Sequence, residues 1–351
     1  MNRVKTLDVL RGMLMLYIVF IIHGLFWLKI ISSSVSSLLL FEMPAIFIVS
    51  GYSYYLYANS RPDRNIATMS AKTYFYFLAS RFTRILVPYA IYVMTCIALI
   101  YILSLLGTVN NYNLGSLIIA WINPFNPGRN FSVGMLNWHL WFVPVFLIVT
   151  AILPIATQFR PFKNPHILPL VIGVAITEVL ITQVHFPGED ITKQVIFYLA
   201  FALFGYYIAH SGENFRSYNF GRITIISAVL LGLIVVKEGD FSAMNMQTNK
   251  FPPNYIFFLF SCLWVSLFLV ISNRAPEAIN KLESYGDRRW LRPFVTSGYS
   301  IYLWQGIGYT AAFKAGKMID LPVLAVWLLA LGLSVGLGLL AAPLERIRFR
   351  L

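Results

Sequence analysis

The chain has 351 residues, of which 58% are hydrophobic and 12% charged, and it carries a formal net charge of +13. Soluble proteins average about 25% charged residues, so this composition excludes a large soluble core and points to a polytopic membrane protein. The positive charge is scattered through short loops with no nucleic-acid motif, which argues against a nucleic-acid partner, and Cys96 and Cys262 define neither a disulfide framework nor a metal site.

A helix needs about 20 largely apolar residues to cross a bilayer. Ten segments qualify: 10–31, 35–58, 83–106, 139–158, 166–184, 193–210, 221–237, 254–272, 296–314 and 321–343. The fold class expected is therefore all-α, a transmembrane helical bundle forming one domain over 1–351. The first segment is too long for the core of a signal peptide and is expected to remain as a helix. A weaker stretch, Leu114 to Ile122, is expected to be a short interfacial or re-entrant helix. With the N-terminus on the cytoplasmic side, 20 of the 27 Lys and Arg residues fall on that side. That asymmetry follows the positive-inside rule and puts both termini in the cytoplasm. The 107–138 loop on the outer side is rich in Asn, Gly and Pro, and with Trp121 and Trp138 nearby it would suit a sugar, although interfacial tryptophans are common in any membrane protein.

Ionisable groups in apolar segments are costly and mark candidate sites. His23 lies in the middle of the first segment, twelve residues beyond Arg11, which is about 18 Å along a helix axis. A long carrier with an anionic head could reach both, and acyl-coenzyme A has that shape. Arg81 and Arg84, at i and i+3, place two guanidinium forks on one face at a cytoplasmic boundary, suited to phosphates or to snorkelling anchors. Glu42 opens the second segment near its outer end, where it could bind an acceptor hydroxyl, orient His23, or simply sit at the interface. His139 begins the fourth segment and could supplement His23 or face water. Glu178, in mid-segment, is expected to be protonated or paired. Tyr302 and Gln305 offer neutral polar groups in the ninth segment.

Together these motifs resemble the bacterial membrane acyltransferase-3 family over nearly the whole chain. The resemblance rests on Asp8-Val-Leu-Arg-Gly12 leading to His23, Met43-Pro-Ala-Ile-Phe-Ile-Val-Ser-Gly51, and Arg81-x-x-Arg84-Ile-x-x-Pro88. His139-Leu-Trp-Phe142, Phe251-Pro-Pro253 and Tyr299-Ser-Ile-Tyr-Leu-Trp304 extend it. It implies a multi-pass protein of the bacterial plasma membrane that moves an acyl group, commonly acetyl, from cytoplasmic acyl-CoA to a hydroxyl of an outer glycan or cell-envelope acceptor. Acyl-CoA is then a co-substrate, and no metal is implied. The resemblance maps the family's helix 1 histidine onto His23, expected to act as general base or acyl relay, and its arginines onto Arg11, Arg81 and Arg84, expected to hold the coenzyme A phosphates. Glu42 and His139 as further catalytic candidates, and Tyr302 and Gln305 as binding candidates, rest on the residues themselves. No hydrolase-like domain is expected within residues 1–351, so a partner acyltransferase protein or a homo-oligomer is an expected possibility. A transporter or flippase is the competing class; such proteins often carry paired repeats, and none is visible here.

Two departures from the family pattern matter. The family usually has ten residues between the helix 1 arginine and histidine, leaving them about 20° apart around an α-helix. Here there are eleven, which leaves about 120° unless a π-bulge absorbs the extra residue. In addition, Gln305 stands where the family often has histidine, and an amide cannot shuttle a proton.

Overall fold

The computed structural model describes residues 5–60, 70–110, 112–128, 130–158, 188–212, 217–275, 277, 281, 284–286 and 288–347. The chain is mostly helical over these residues, with no strand among them. In chain order the helices are α1 (Lys5–Leu16), a π-turn (Tyr17–Ile22), α2 (His23–Trp27), α3 (Ser33–Ser37) and α4 (Glu42–Ala58). Then come α5 (Ala71–Leu105), α6 (Leu114–Ile122), α7 (Phe142–Ala156), α8 (Glu189–Ser211) and α9 (Ser217–Glu238). A short α10 (Met246–Asn249), α11 (Tyr255–Arg274), α12 (Arg292–Met318) and α13 (Val323–Ala341) follow, with 3-10 turns at Phe241–Met244 and Ala342–Arg346.

Among the described residues, seven stretches are long and apolar enough to cross a membrane: Lys5–Trp27, Ser33–Ala58, Ala71–Leu105, Glu189–Ser211, Phe220–Glu238, Tyr255–Arg274 and Val323–Arg346. The expected span at 139–158 is the shorter α7, whose 15 residues rise about 22 Å. The expected span at 296–314 is α12, which is long enough but more polar. Its dihedrals leave the helical range at Ser297 (φ −141°, ψ 28°), where two helical pieces meet. The segment 166–184, with Glu178, lies outside the described residues. The short helix expected at 114–122 is present as α6, and the Asn113 side chain caps it by accepting from the Gly115 and Ser116 N–H groups at 2.8 and 3.4 Å.

The chain divides into two compact units. The first contains Met1–Leu14, Ile31–Tyr74 and Ile148–Arg288. Within it α4 and α8 meet backbone to backbone. A Cβ on Gly51 would stand 1.7 Å from the Ala202 carbonyl oxygen, and one on Gly205 would stand 1.9 Å from that of Ile48. In lipid there is little hydrophobic drive between helices, so close packing across small residues is what holds such a pair. Phe47 stacks on Tyr198 beside this seam with ring centroids 4.6 Å apart.

The second unit contains Met15–Ile30, Phe75–Leu147 and Arg289–Leu351. Its α12–α13 pair repeats the device: a Cβ on Gly308 would lie 2.8 Å from the Ser334 nitrogen, and one on Gly338 would lie 2.5 Å from the Ile301 Cα. Tyr92, Cys96, Trp121, Leu136 and Leu140 fill a core under α5 and α6. Trp121, which the sequence offered as a sugar contact, is fully buried there, and its Nε1–H donates to the Phe131 carbonyl at 3.1 Å. Trp138 remains about half exposed.

Candidate active site

The site in the second unit is built around an interruption of the first helix. Between Arg11 and His23 the backbone winds as a π-helix over Tyr17–Ile22. A π-turn closes on i→i+5 bonds and takes up one more residue than an α-turn, so the extra residue in this spacing is absorbed inside the helix. The wider turn also presents carbonyl oxygens to neighbours. The Tyr309 hydroxyl donates to the Val19 carbonyl at 2.6 Å, and the Trp327 Nε1–H donates to that of Phe20 at 2.8 Å. Gly24 admits the Trp327 indole, since a Cβ there would lie 2.1 Å from its Nε1. No bulkier residue fits next to His23 with that indole in place.

His23 is the first residue after the π-turn and is half-buried. Its ring stacks on Trp27 one turn later, with centroids 4.2 Å apart and planes 12° from parallel. Its Nδ1 lies 2.6 Å from Gln305 Oε1. The amide orientation is fixed on its other side, where Gln305 Nε2 donates to the Tyr302 carbonyl at 2.8 Å. An amide oxygen only accepts, so this contact calls for the proton on Nδ1, and a neutral ring in that tautomer has its lone pair on Nε2. That nitrogen is the one able to take a proton.

His139 is fully buried, so it does not face water. Its Nε2–H donates to the Leu303 carbonyl at 3.0 Å, while the Tyr302 hydroxyl donates to the backbone carbonyl of His139 at 2.6 Å. The two rings meet edge to face at 5.2 Å, and the Tyr302 and His23 centroids are 6.3 Å apart. Tyr92 packs on His139 from α5. The structure thus brings His23, His139, Tyr302 and Gln305 together.

Arg81 and Arg84 belong to the same unit but stand further along α5. Arg84 is eight residues from Tyr92, about 12 Å along the axis, and is exposed. The Arg81 guanidinium lies over the Phe77 ring at 5.6 Å. Arg84 and Arg346 are within electrostatic range of Glu345. The Glu345 carboxylate accepts the Ser300 N–H, one of the donors left unpaired by the break at Ser297. Glu345 was not singled out from the sequence, although a carboxylate closing an apolar helix is a signal of that kind.

The two remaining candidates lie in the first unit. Arg11 is exposed, donates to the Ser53 hydroxyl and is 3.5 Å from the Asp8 carboxylate. Glu42 is buried in the first turn of α4. Its Oε1 accepts from Lys250 Nζ at 2.8 Å, and its Oε2 has no hydrogen-bond partner. Its partner is therefore Lys250, whereas the Nδ1 of His23 is bonded to Gln305.

A family model described as an acyltransferase domain, Acyl_transf_3, matches residues 4–342. The chain belongs to the acyltransferase-3 family. No curated protein and no solved structure matches it. The match covers α1 through α13, so both units of this membrane acyltransferase fall within one family domain, with the His23 cluster and the Glu42–Lys250 pair both inside it.

Proposed function

We propose that this acyltransferase moves an acyl group, with acetyl the expected one, from cytoplasmic acyl-CoA to a hydroxyl of an extracytoplasmic glycan or cell-envelope acceptor in the bacterial plasma membrane. The observation that carries the reading is the 2.6 Å contact between His23 Nδ1 and the side-chain oxygen of Gln305, whose amide nitrogen is already bonded to the Tyr302 carbonyl. His23 Nε2 removes the proton from the acceptor hydroxyl as its oxygen attacks the thioester carbonyl. The carbon–sulfur bond breaks, and the imidazolium returns its proton to the departing sulfur, giving an ester and free coenzyme A. In a covalent variant, Nε2 itself takes the acyl group before the acceptor does. Arg11, Arg81 and Arg84 carry the charge and fork geometry suited to the donor phosphates.

The test uses purified protein in nanodiscs with acetyl-CoA and an envelope glycan extract, following acetyl transfer by mass spectrometry. His23→Ala should lower turnover by roughly 10²–10⁴-fold, the usual worth of a positioned acid–base. Unchanged turnover in a folded His23→Ala protein would refute the assignment.

A further inference from the structure

Gln305 holds His23 in one tautomer, and Gln305 is itself held in place. Its amide donates to the carbonyl of Tyr302, three residues earlier on α12. That residue is pinned by a reciprocal clasp in which each partner's side chain bonds the other's backbone neighbourhood. The Tyr302 hydroxyl donates to the His139 carbonyl at 2.6 Å, and the His139 Nε2–H donates to the Leu303 carbonyl at 3.0 Å. Packing leaves the clasp no slack, since a Cβ on Gly306 would lie 2.8 Å from His139 Cε1 and 2.3 Å from the Tyr92 hydroxyl. Tyr302, His139 and Gln305 are all buried, so little water is available to replace a lost bond. The helix face that presents Tyr302 and Gln305 continues at Tyr309, whose hydroxyl holds the π-turn just before His23.

We infer that Gln305 is a positioning residue that selects the tautomer of His23 with its lone pair on Nε2, and that His139 and Tyr302 act through it rather than on the substrate. The role of Nε2 in turnover rests on the acyl-transfer reading; the choice of tautomer does not. An imidazole in water divides between two tautomers, only one of which leaves Nε2 basic, and an acceptor at Nδ1 favours that one. Glutamine suits the task because it accepts from His23 and donates to Tyr302 at once. A leucine does neither, and a glutamate only accepts.

The full chain in nanodiscs, labelled with ¹⁵N-histidine, would be read by solid-state NMR, with His23 assigned by its loss in His23→Ala. The wild type should show a protonated Nδ1 and a bare Nε2 on His23. Gln305→Leu and Tyr302→Phe should mix the tautomers, whereas Gln305→Glu should retain the Nδ1–H form. In acetyl transfer from acetyl-CoA, Gln305→Leu should lower kcat about tenfold or more with KM for acetyl-CoA unchanged. His139→Ala should behave like Tyr302→Phe; if it fails to fold, Tyr302→Phe decides. A single Nδ1–H signal in Gln305→Leu, or an Nε2–H signal in the wild type, would overturn the inference. If the tautomers respond as expected but the wild type transfers nothing from acetyl-CoA, the acyl-transfer reading fails and the positioning of His23 stands.

Discussion

The two units manage buried polarity in opposite ways. The first buries a full ion pair, Glu42 with Lys250, both side chains about 95% or more removed from solvent. The second gathers His23, Gln305, Tyr302 and His139 into a network joined by amide, hydroxyl, imidazole and carbonyl groups. A buried ion pair is unforgiving, because removing one partner strands a charge. A network of neutral dipoles loses about one bond at a time and keeps its fold. The contrast fits a division of labour in which the pair ties the 245–254 segment to the head of α4, and the network aims an imidazole. Damage to the first unit should therefore appear chiefly in stability, and damage to the second chiefly in chemistry.

The largest expected effect tests the ion pair. Lys250→Met should destabilise the protein by about 3–5 kcal/mol, because Glu42 is left charged or forced to protonate in a buried site. Pairing it with Glu42→Leu should recover most of that loss, since apolar replacements of both partners are often neutral. Thermal unfolding of the two singles and the double in one detergent gives the coupling directly. Additive losses would show that the pair holds nothing together.

A smaller effect tests the glycine seam found inside each unit. Gly51→Ala forces a methyl group against the Ala202 carbonyl, and Gly338→Ala forces one against the Ile301 Cα. Both obstacles are backbone and cannot swing aside, so each substitution should cost about 1–3 kcal/mol. Gly232→Ala, on α9 with nothing near its Cβ position, is the control and should be neutral or slightly stabilising. Equal unfolding temperatures for all three variants would remove close packing as the reason for these glycines.

Much of this was legible in the sequence, and the parts that were not have physical causes. The all-α class and the rough placement of most spans followed from runs of apolar residues, and the weaker apolar stretch Leu114 to Ile122 is the short helix α6. The anomalous spacing of Arg11 and His23 left two outcomes open, a π-turn in the first helix or two side chains on different faces, and the helix carries the π-turn at Tyr17–Ile22. The pairing of Glu42 with Lys250 was hidden, since 208 residues separate the two and neither spacing nor periodicity connects them. The break at Ser297 was masked by polar residues that merely looked like a less apolar span. Trp121 and Trp138 are alike in sequence, yet one is core and one is half exposed, a difference set by Gly128, whose absent Cβ makes room for the Trp121 indole. His23, His139 and Gln305 were identifiable as residues, but their hydrogen bonds depend on how the first helix and α12 pack within the second unit.

The smallest expected change in stability is also the sharpest test of the contrast. Tyr309→Phe and Trp327→Phe each remove a single donor to a carbonyl of the π-turn and leave the ring volume largely or partly in place. Each should cost about 0.5–1.5 kcal/mol, well below the loss from breaking the ion pair. Their effect on His23 should be larger than that figure suggests. The π-turn sets where the ring begins, and an error of about 1 Å in a catalytic group can cost 10²-fold in rate. The expected result is a protein that unfolds within a few degrees of wild type but transfers acyl groups many times more slowly, with KM for the donor little changed. If rate and stability instead fell in proportion, the π-turn would be a packing feature of the second unit, and that unit would answer to damage as the first does.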